Sequence, residues 1–254
     1  MGTLFEWHIG INETGARNSS GEILSPEVYA AGADTLPTRV RAVPADPQAS
    51  WTLDQVADWL LGLIESETRF LAGINHRFSF PASYFEQQGL RSWRDLLADR
   101  EVLTDEGEGP FVEAARFNDG LPGPERGWRM TERWGNSLTC MFQYDVRGLN
   151  DSSHSALPWL RRIREHAGSR LHVWPFDGWI PPEDRSVIAE VYPLQASNYY
   201  PRKWRGPAEQ NAYTISRWLL EADELGILNG YFRPQLPERI CRAAAVEGWI
   251  LGVH

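Results

Sequence analysis

Two strand-like segments of this chain end on the same triplet, Gly-Ile-Asn. They are Phe5-Glu6-Trp7-His8-Ile9-Gly10-Ile11-Asn12 and Phe70-Leu71-Ala72-Gly73-Ile74-Asn75. An apolar strand that closes on a polar residue is how an α/β sheet delivers side chains to a shared cleft beyond its strand C-termini. Carboxylates at both ends would predict a metal site. Both ends carry amides instead, and that difference governs the functional reading.

The pattern around these segments predicts an α/β fold. Strands are expected over about 4–12, 22–30 and 38–43, an antiparallel meander punctuated by Gly15, Gly21 and Gly32. Thr52 caps a helix whose Val56, Trp59, Leu60 and Leu63 share one face. The strand 70–75 then follows a helical crossover, which predicts that it runs parallel to the first. A helix is expected over 157–166, and strands over 170–174 and 187–192. A long helix starts near Pro207, a residue suited to a first helical position, with Asn211, Ile215, Trp218, Ala222 and Leu225 on its inner face and Gly226 at its end. Another helix spans 236–245, and 249–253 forms a short strand or a tail. The whole, 1–254, reads as one domain with a mixed sheet, and the stretch at about 101–156 reads as an inserted flap because 101–136 is rich in Gly, Pro and charge.

Composition narrows the function classes. The net charge of −9 argues against a broad basic surface for duplex nucleic acid. No apolar run approaches the ~18 residues of a membrane span, and no signal-peptide pattern opens the chain. Two cysteines, Cys140 and Cys241, make no disulfide framework. These features predict a cytoplasmic protein with no membrane partner. No Gly-x-Gly-x-x-Gly, Walker A or Gly-x-Ser-x-Gly pattern is present, and the six histidines show no zinc spacing.

Four polar residues stand where the predicted fold gathers side chains: Asn12 and Asn75 at strand ends, Glu190 in the strand Ile188-Ala189-Glu190-Val191-Tyr192, and Asn211 early in the long helix. A carboxylate inside an apolar strand is costly unless paired, protonated or metal-bound, which marks Glu190. The competing reading places Glu190 on a solvent-facing edge strand and makes the asparagines turn or cap residues. His8 lies four residues before Asn12 and so shares its strand face, with core or edge placement favoured over a catalytic role. His76 adjoins Asn75 as a candidate acid, base or ligand. Glu13 follows Asn12 and is expected to point away from the cleft.

Several segments together resemble the family of predicted RNase H-like nucleases, a domain of unknown function. They are Gly10-Ile11-Asn12-Glu13-Thr14-Gly15-Ala16, Gly73-Ile74-Asn75 with Phe78-Ser79-Phe80-Pro81, Arg129-Met130-Thr131-Glu132, His172-Val173-Trp174-Pro175-Phe176, Glu190-Val191-Tyr192-Pro193, Asn211-Ala212-Tyr213 and Glu247-Gly248-Trp249-Ile250-Leu251-Gly252-Val253. The resemblance implies an RNase H-like mixed sheet. It also implies a site in which aspartates and a glutamate hold two divalent metals for phosphodiester cleavage. At the matching positions this chain has Asn12, Asn75 and Asn211, and Glu190 alone keeps its charge.

An amide oxygen can ligate a metal but cannot offset its charge, so Mg²⁺ or Mn²⁺ is expected to bind weakly or not at all, with Glu190 the one charged ligand. The resemblance further implies substrate-side roles for Arg129 and Glu132, and for Ser153 in the loop Leu149-Asn150-Asp151-Ser152-Ser153-His154; the competing reading makes that loop a helix cap. The leading expectation is a weak or non-catalytic binder of nucleic acid or nucleotide, in effect a pseudoenzyme. One alternative is an active nuclease that uses Glu190, Glu13 or Glu132 in a rearranged site, or a chain whose aspartates were replaced deliberately. The other is a small-molecule enzyme or binding protein on the same fold.

Overall fold

Alternation shapes the central strand β1 (Trp7–Asn12): Ile9 and Ile11 enter one hydrophobic core, while His8, Gly10 and Asn12 turn to the opposite side. The computed structural model describes residues 2–13, 25–46, 49–99, 129–134, 152–193 and 199–254, with 152–156 described in backbone only. After β1 come β2 (Glu27–Ala31), β3 (Thr38–Arg39), α1 (Leu53–Glu65), β4 (Phe70–Asn75), α2 (Ala82–Gln88) and α3 (Trp93–Ala98). Then follow α4 (Met130–Trp134), α5 (Ser152–Ala167), β5 (Leu171–Trp174), β6 (Ser186–Glu190), α6 (Pro207–Glu224), α7 (Leu228–Tyr231) and α8 (Glu238–Glu247).

The strands form one six-stranded sheet in the order β3-β2-β1-β4-β6-β5. β3, β2 and β1 pair antiparallel, whereas β1–β4, β4–β6 and β6–β5 pair parallel. The expected α/β class and antiparallel-then-parallel sheet are therefore present. In the β1–β4 pair Gly10 lies opposite Gly73 and Asn12 opposite Asn75, so the two triplets are in register.

Helices cover both faces. On one side Val56, Leu60 and Ile64 of α1 and Leu157, Leu160 and Ile163 of α5 pack on Ile9, Ile11, Ala72, Ile74 and Ile188. Thr52 caps α1 through a reciprocal pair of bonds with Gln55, 3.2 Å and 2.9 Å. On the other side Ile215, Leu219 and Ala222 of α6 pack with Leu71, Val187, Ala189 and Val191. β4 feeds both cores because successive residues point to opposite faces.

Several boundaries differ from expectation, and at 249–253 the structure takes one of the two expected forms. β3 is only two exposed residues, and beyond it the chain makes a single bridge between Val43 and Asp46 around Pro44. Helix α5 begins at Ser152, since no glycine interrupts the run into Leu157, so Ser152–His154 is helix rather than loop; residues 149–151 lie outside the described residues. α6 ends one residue earlier than its apolar pattern suggests: Gly226 turns at φ 70°, and Leu225 is 73% exposed instead of lining the inner face. The segment 249–253 is a buried tail, anchored by Leu251 N–H donating to the Glu190 carbonyl at 2.9 Å. Most of the flap expected at 101–156 lies outside the described residues; α4 and the start of α5 are its described parts. Among the described residues no helix is long and apolar enough to cross a membrane.

Candidate functional site

The amide cleft is built by close approach of α6 to β1. A Cβ on Gly10 would lie 2.0 Å from the Ala212 carbonyl oxygen and 2.6 Å from the Ser216 nitrogen. Only glycine lets a helix backbone rest directly on a strand backbone at this distance. Because α6 runs antiparallel to β1, it meets the polar face of that strand at three successive points. Asp223 accepts from His8 Nε2 at 2.8 Å, Ser216 Oγ donates to the His8 carbonyl at 2.7 Å, and Asn211 reaches Asn12. His8 is thus fully buried and tied to a helix carboxylate that also accepts from the Leu4 and Phe5 amides, which fits the core or edge placement favoured for it.

Asn12, Asn75 and Asn211 come together. Asn12 Oδ1 accepts from Asn75 Nδ2 at 2.8 Å and from Asn211 Nδ2 at 3.1 Å. Asn12 and Asn75 are nearly buried and Asn211 is half-buried. Asn12 Nδ2, Asn75 Oδ1 and Asn211 Oδ1 make no hydrogen bond within the described residues. Within the described residues the cleft therefore offers the Asn12 NH₂, one further N–H on each of Asn75 and Asn211, and two carbonyl acceptors, all neutral. Three carboxylates at these distances would repel one another strongly without a cation between them, whereas the amides hold one another by donation.

Glu190 does not join them. Its Cα partner in β4 is Ile74, not Asn75, so its side chain leaves on the α1/α5 face, while the neighbouring Val191 lies on the α6 face. The expected convergence of all four residues fails at this one, and the period-2 parity of the strand is the reason. Glu190 is instead gripped by Arg129, whose Nη1 donates to Oε2 at 2.7 Å and whose Nη2 donates to Oε1; the Phe78 amide also donates to Oε2, at 3.2 Å.

Arg129 and Glu132 are likewise not surface groups awaiting a substrate. Arg129 is fully buried, and its five side-chain N–H donors reach Glu132, Glu190 and the Glu247 carbonyl. Arg77 Nη2 adds a bond to Glu132 at 2.8 Å. Burial works against the Arg129 charge, but Glu190 and Glu132 overcome it and push its pKa up. Burial also pushes the Glu132 carboxyl up, but Arg77 and Arg129 outweigh it and hold the group below its ordinary value. Glu247 completes the cluster by accepting from the Met130 amide and, at 2.7 Å, from the Ala82 amide. The cluster clamps α4 to the end of β6, the loop after β4 and the C-terminal tail. Ser153 lies in the first turn of α5, and its side chain is outside the described residues.

The other acids near the cleft are also matched. Glu27, the β2 partner of Asn12, is held by Arg39 at 2.9 and 3.0 Å, and Arg39 reaches Glu209 of α6 at 3.3 Å. Burial raises the Glu27 pKa, Arg39 opposes this, and Glu209 adds to the rise. Glu13 is buried. His76 is buried with neither ring nitrogen hydrogen-bonded, and burial drives its pKa down to about 3 although the Glu13 backbone pulls the other way. It is a neutral imidazole at physiological pH. No cluster of three or more His, Cys, Asp or Glu side chains suited to a metal ion exists among the described residues.

Two features escaped the sequence reading. The Asp223 anchor carried no signal beyond a lone acid near the end of a helix. The segment Arg202-Lys203-Trp204-Arg205, just before α6, did carry one, an aromatic residue set among cations. Comparison with known proteins found no matching family model, no matching curated protein and no matching solved structure.

Proposed function

We propose that this chain is an RNase H-like domain whose metal site has become a neutral amide cleft, and that it binds a nucleotide or nucleic acid there without two-metal phosphodiester cleavage. The observation that carries the reading is the shared acceptor, Asn12 Oδ1, with Asn75 and Asn211 both donating to it. A site of this kind satisfies itself without a cation. The N–H groups and the two carbonyl oxygens left without a partner among the described residues suit the edge of a base or a ribose, because amide side chains read such edges through paired donor and acceptor contacts. Glu27, the strand partner of Asn12, and Glu209, on the same helix as Asn211, share Arg39, which leaves little negative potential there for Mg²⁺ or Mn²⁺. The antiparallel-then-parallel sheet is compatible with the fold that the resemblance implies.

The test is a calorimetric titration with Mn²⁺ beside a thermal-shift titration with nucleotides. The expected result is no saturable Mn²⁺ binding by the natural chain, a stabilising shift with a nucleotide, and loss of that shift in Asn75→Leu. The triple variant Asn12→Asp/Asn75→Asp/Asn211→Asp is expected to gain Mn²⁺ binding. Mn²⁺- or Mg²⁺-dependent cleavage of labelled RNA or DNA by the natural chain would overturn the proposal.

A further inference from the structure

The loop that leads into α6 holds the most exposed large aromatic side chain among the described residues. Trp204 is 84% exposed and Tyr199 is 79% exposed. Between them lies Lys203, the single lysine of the whole chain, flanked by Arg202 and followed by Arg205. Residues 199–206 contain three cations and no carboxylate, in a protein whose net charge is −9. The positive charge is therefore local and placed beside the exposed rings.

The loop is braced. Arg205 is buried, with its guanidinium 3.6 Å from the Tyr213 ring centroid, its Nε donating to Gln210 at 2.8 Å and its Nη2 donating to the Pro201 carbonyl at 2.6 Å. Gln210 in turn donates to the Tyr200 carbonyl at 3.0 Å, and the Tyr200 hydroxyl donates to Glu221 at 2.6 Å. Arg202 Nε donates to the Arg205 carbonyl at 2.8 Å. On this scaffold Lys203 adopts φ 51°, a left-handed conformation that L side chains seldom take and that concentrates at functional sites. Its ammonium lies 5.8 Å from the centre of the Trp204 ring. A rigid support therefore presents an exposed indole, with the Lys203 ammonium over its ring, to solvent.

We infer that the 199–206 loop is a stacking platform for single-stranded nucleic acid, with a base on Trp204 and backbone phosphates on Lys203 and Arg202. The inference rests on the proposed reading of the amide cleft and extends it. Gly206 precedes Asn211 by five residues, about 7.5 Å of helix rise, so the loop and the cleft lie toward the same end of α6. Aromatic side chains between cations are the recurring device for unpaired bases. A duplex keeps its base faces stacked and asks for a wide basic surface, which the net charge opposes.

The experiment is fluorescence anisotropy with labelled single-stranded oligo(dT) and oligo(U) of about a dozen bases, within the span of common single-strand sites. Duplex DNA, free nucleotide and anionic phosphatidylserine vesicles are run in parallel. The natural chain is expected to bind the single strands more tightly than the duplex, with a salt slope of about −1.4 for two phosphate contacts. Trp204→Ala is expected to weaken oligonucleotide binding by about 10-fold, within the range for one stacked base, and Trp204→Phe to retain most of it. Because Trp204 is exposed, neither variant should alter the melting temperature. Oligonucleotide should also protect Lys203 from amine-directed acetylation read by mass spectrometry. Trp204→Ala should leave nucleotide binding at the cleft unchanged, whereas Asn75→Leu should abolish it. Nucleotide binding with no oligonucleotide binding, or oligonucleotide binding indifferent to Trp204, overturns the platform and leaves the cleft reading intact. Failure of both ligands overturns both. Trp204-dependent binding to vesicles alone overturns the nucleic-acid assignment of this surface.

Discussion

Gly10→Ala should unseat α6, and Gly73→Ala should not. The alanine Cβ at position 10 would stand 2.0 Å from the Ala212 carbonyl oxygen and 2.6 Å from the Ser216 nitrogen, both backbone atoms of one helix. Neither atom can rotate away, so the helix must retreat by about 1 Å, and overpacking of this kind costs about 1–3 kcal/mol. Retreat also stretches the Ser216 to His8 bond and the Asn211 to Asn12 bond, each worth about 1 kcal/mol. The sum is about 3–5 kcal/mol, or roughly 10 °C in melting temperature for a chain of this size. At Gly73 the new Cβ would meet Ile215 Cγ2 at 2.6 Å, Val191 Cγ2 at 2.8 Å and Leu219 Cδ1 at 2.9 Å, all ends of side chains. Rotamer adjustment at about 0.5–1.5 kcal/mol for each of the side chains that must move, offset by about 0.5–1 kcal/mol from the lower entropy of alanine in a strand, leaves a net loss of about 0.5–4 kcal/mol and no displacement of the helix backbone. Urea unfolding of both variants, with Ser216→Ala added to each background, separates the terms. Ser216→Ala should cost about 1 kcal/mol in the natural chain and almost nothing beside Gly10→Ala, because the bond is already lost. Full additivity of Ser216→Ala with Gly10→Ala would refute backbone contact as the reason for Gly10.

Two further expectations concern the buried charges. Arg129→Met leaves Glu190 without its cation and Glu132 with Arg77 alone, and urea unfolding should report a loss of about 3–5 kcal/mol. In the natural chain the depressed Glu132 carboxyl contributes stability above its unfolded value of about 4.3, lost as pH falls through the lower folded value; Arg129→Met should shrink that acid limb. His76 works on a different pH window. Its pKa falls to about 3 on folding, so the unfolded chain takes up a proton below about 6.5 that the folded chain refuses. Stability should therefore drop by about 2 kcal/mol between pH 7 and pH 5, and the same pair of urea curves for His76→Gln should show a smaller change. Identical pH dependence in the two proteins would disprove a neutral, buried imidazole.

The sheet and one side of the site were legible in the sequence because they rest on local pattern. Apolar runs closing on a polar residue mark β1 and β4, the crossover helix makes them parallel, and the shared triplet puts Asn12 opposite Asn75. Asn211 followed from helical spacing that placed it on the same face as Ile215. Glu190 departs from the expectation because a polar residue in an apolar run carries no register, and register decides parity: one residue of slip exchanges Glu190 for Val191. The substrate-side role that the resemblance implies for Arg129 gives no sign of its burial. Its burial depends on contacts with Glu190 and the Glu247 carbonyl, 61 and 118 residues away, which no local pattern encodes. The basic-aromatic loop was visible as letters, but only its bracing by Arg205 and Gln210 distinguishes a held platform from an ordinary connection.

Parity also changes what a substitution at Glu190 can reveal. The asparagines open on the α6 face of the sheet, and the Glu190–Arg129 pair lies on the α1/α5 face. Removing the Glu190 charge takes a partner from a fully buried guanidinium, so Glu190→Gln perturbs the clamp on α4 and the tail before it perturbs any ion in the cleft. Loss of activity in that variant would therefore report on folding, and the melting temperature should fall with it. Charge restored at Asn12, Asn75 and Asn211 acts on the other face and leaves the clamp intact. On the proposed reading, divalent-ion binding is decided at the three amides: an ion that binds Asn12→Asp/Asn75→Asp/Asn211→Asp as well after Glu190→Gln as before would place the site wholly on the α6 face.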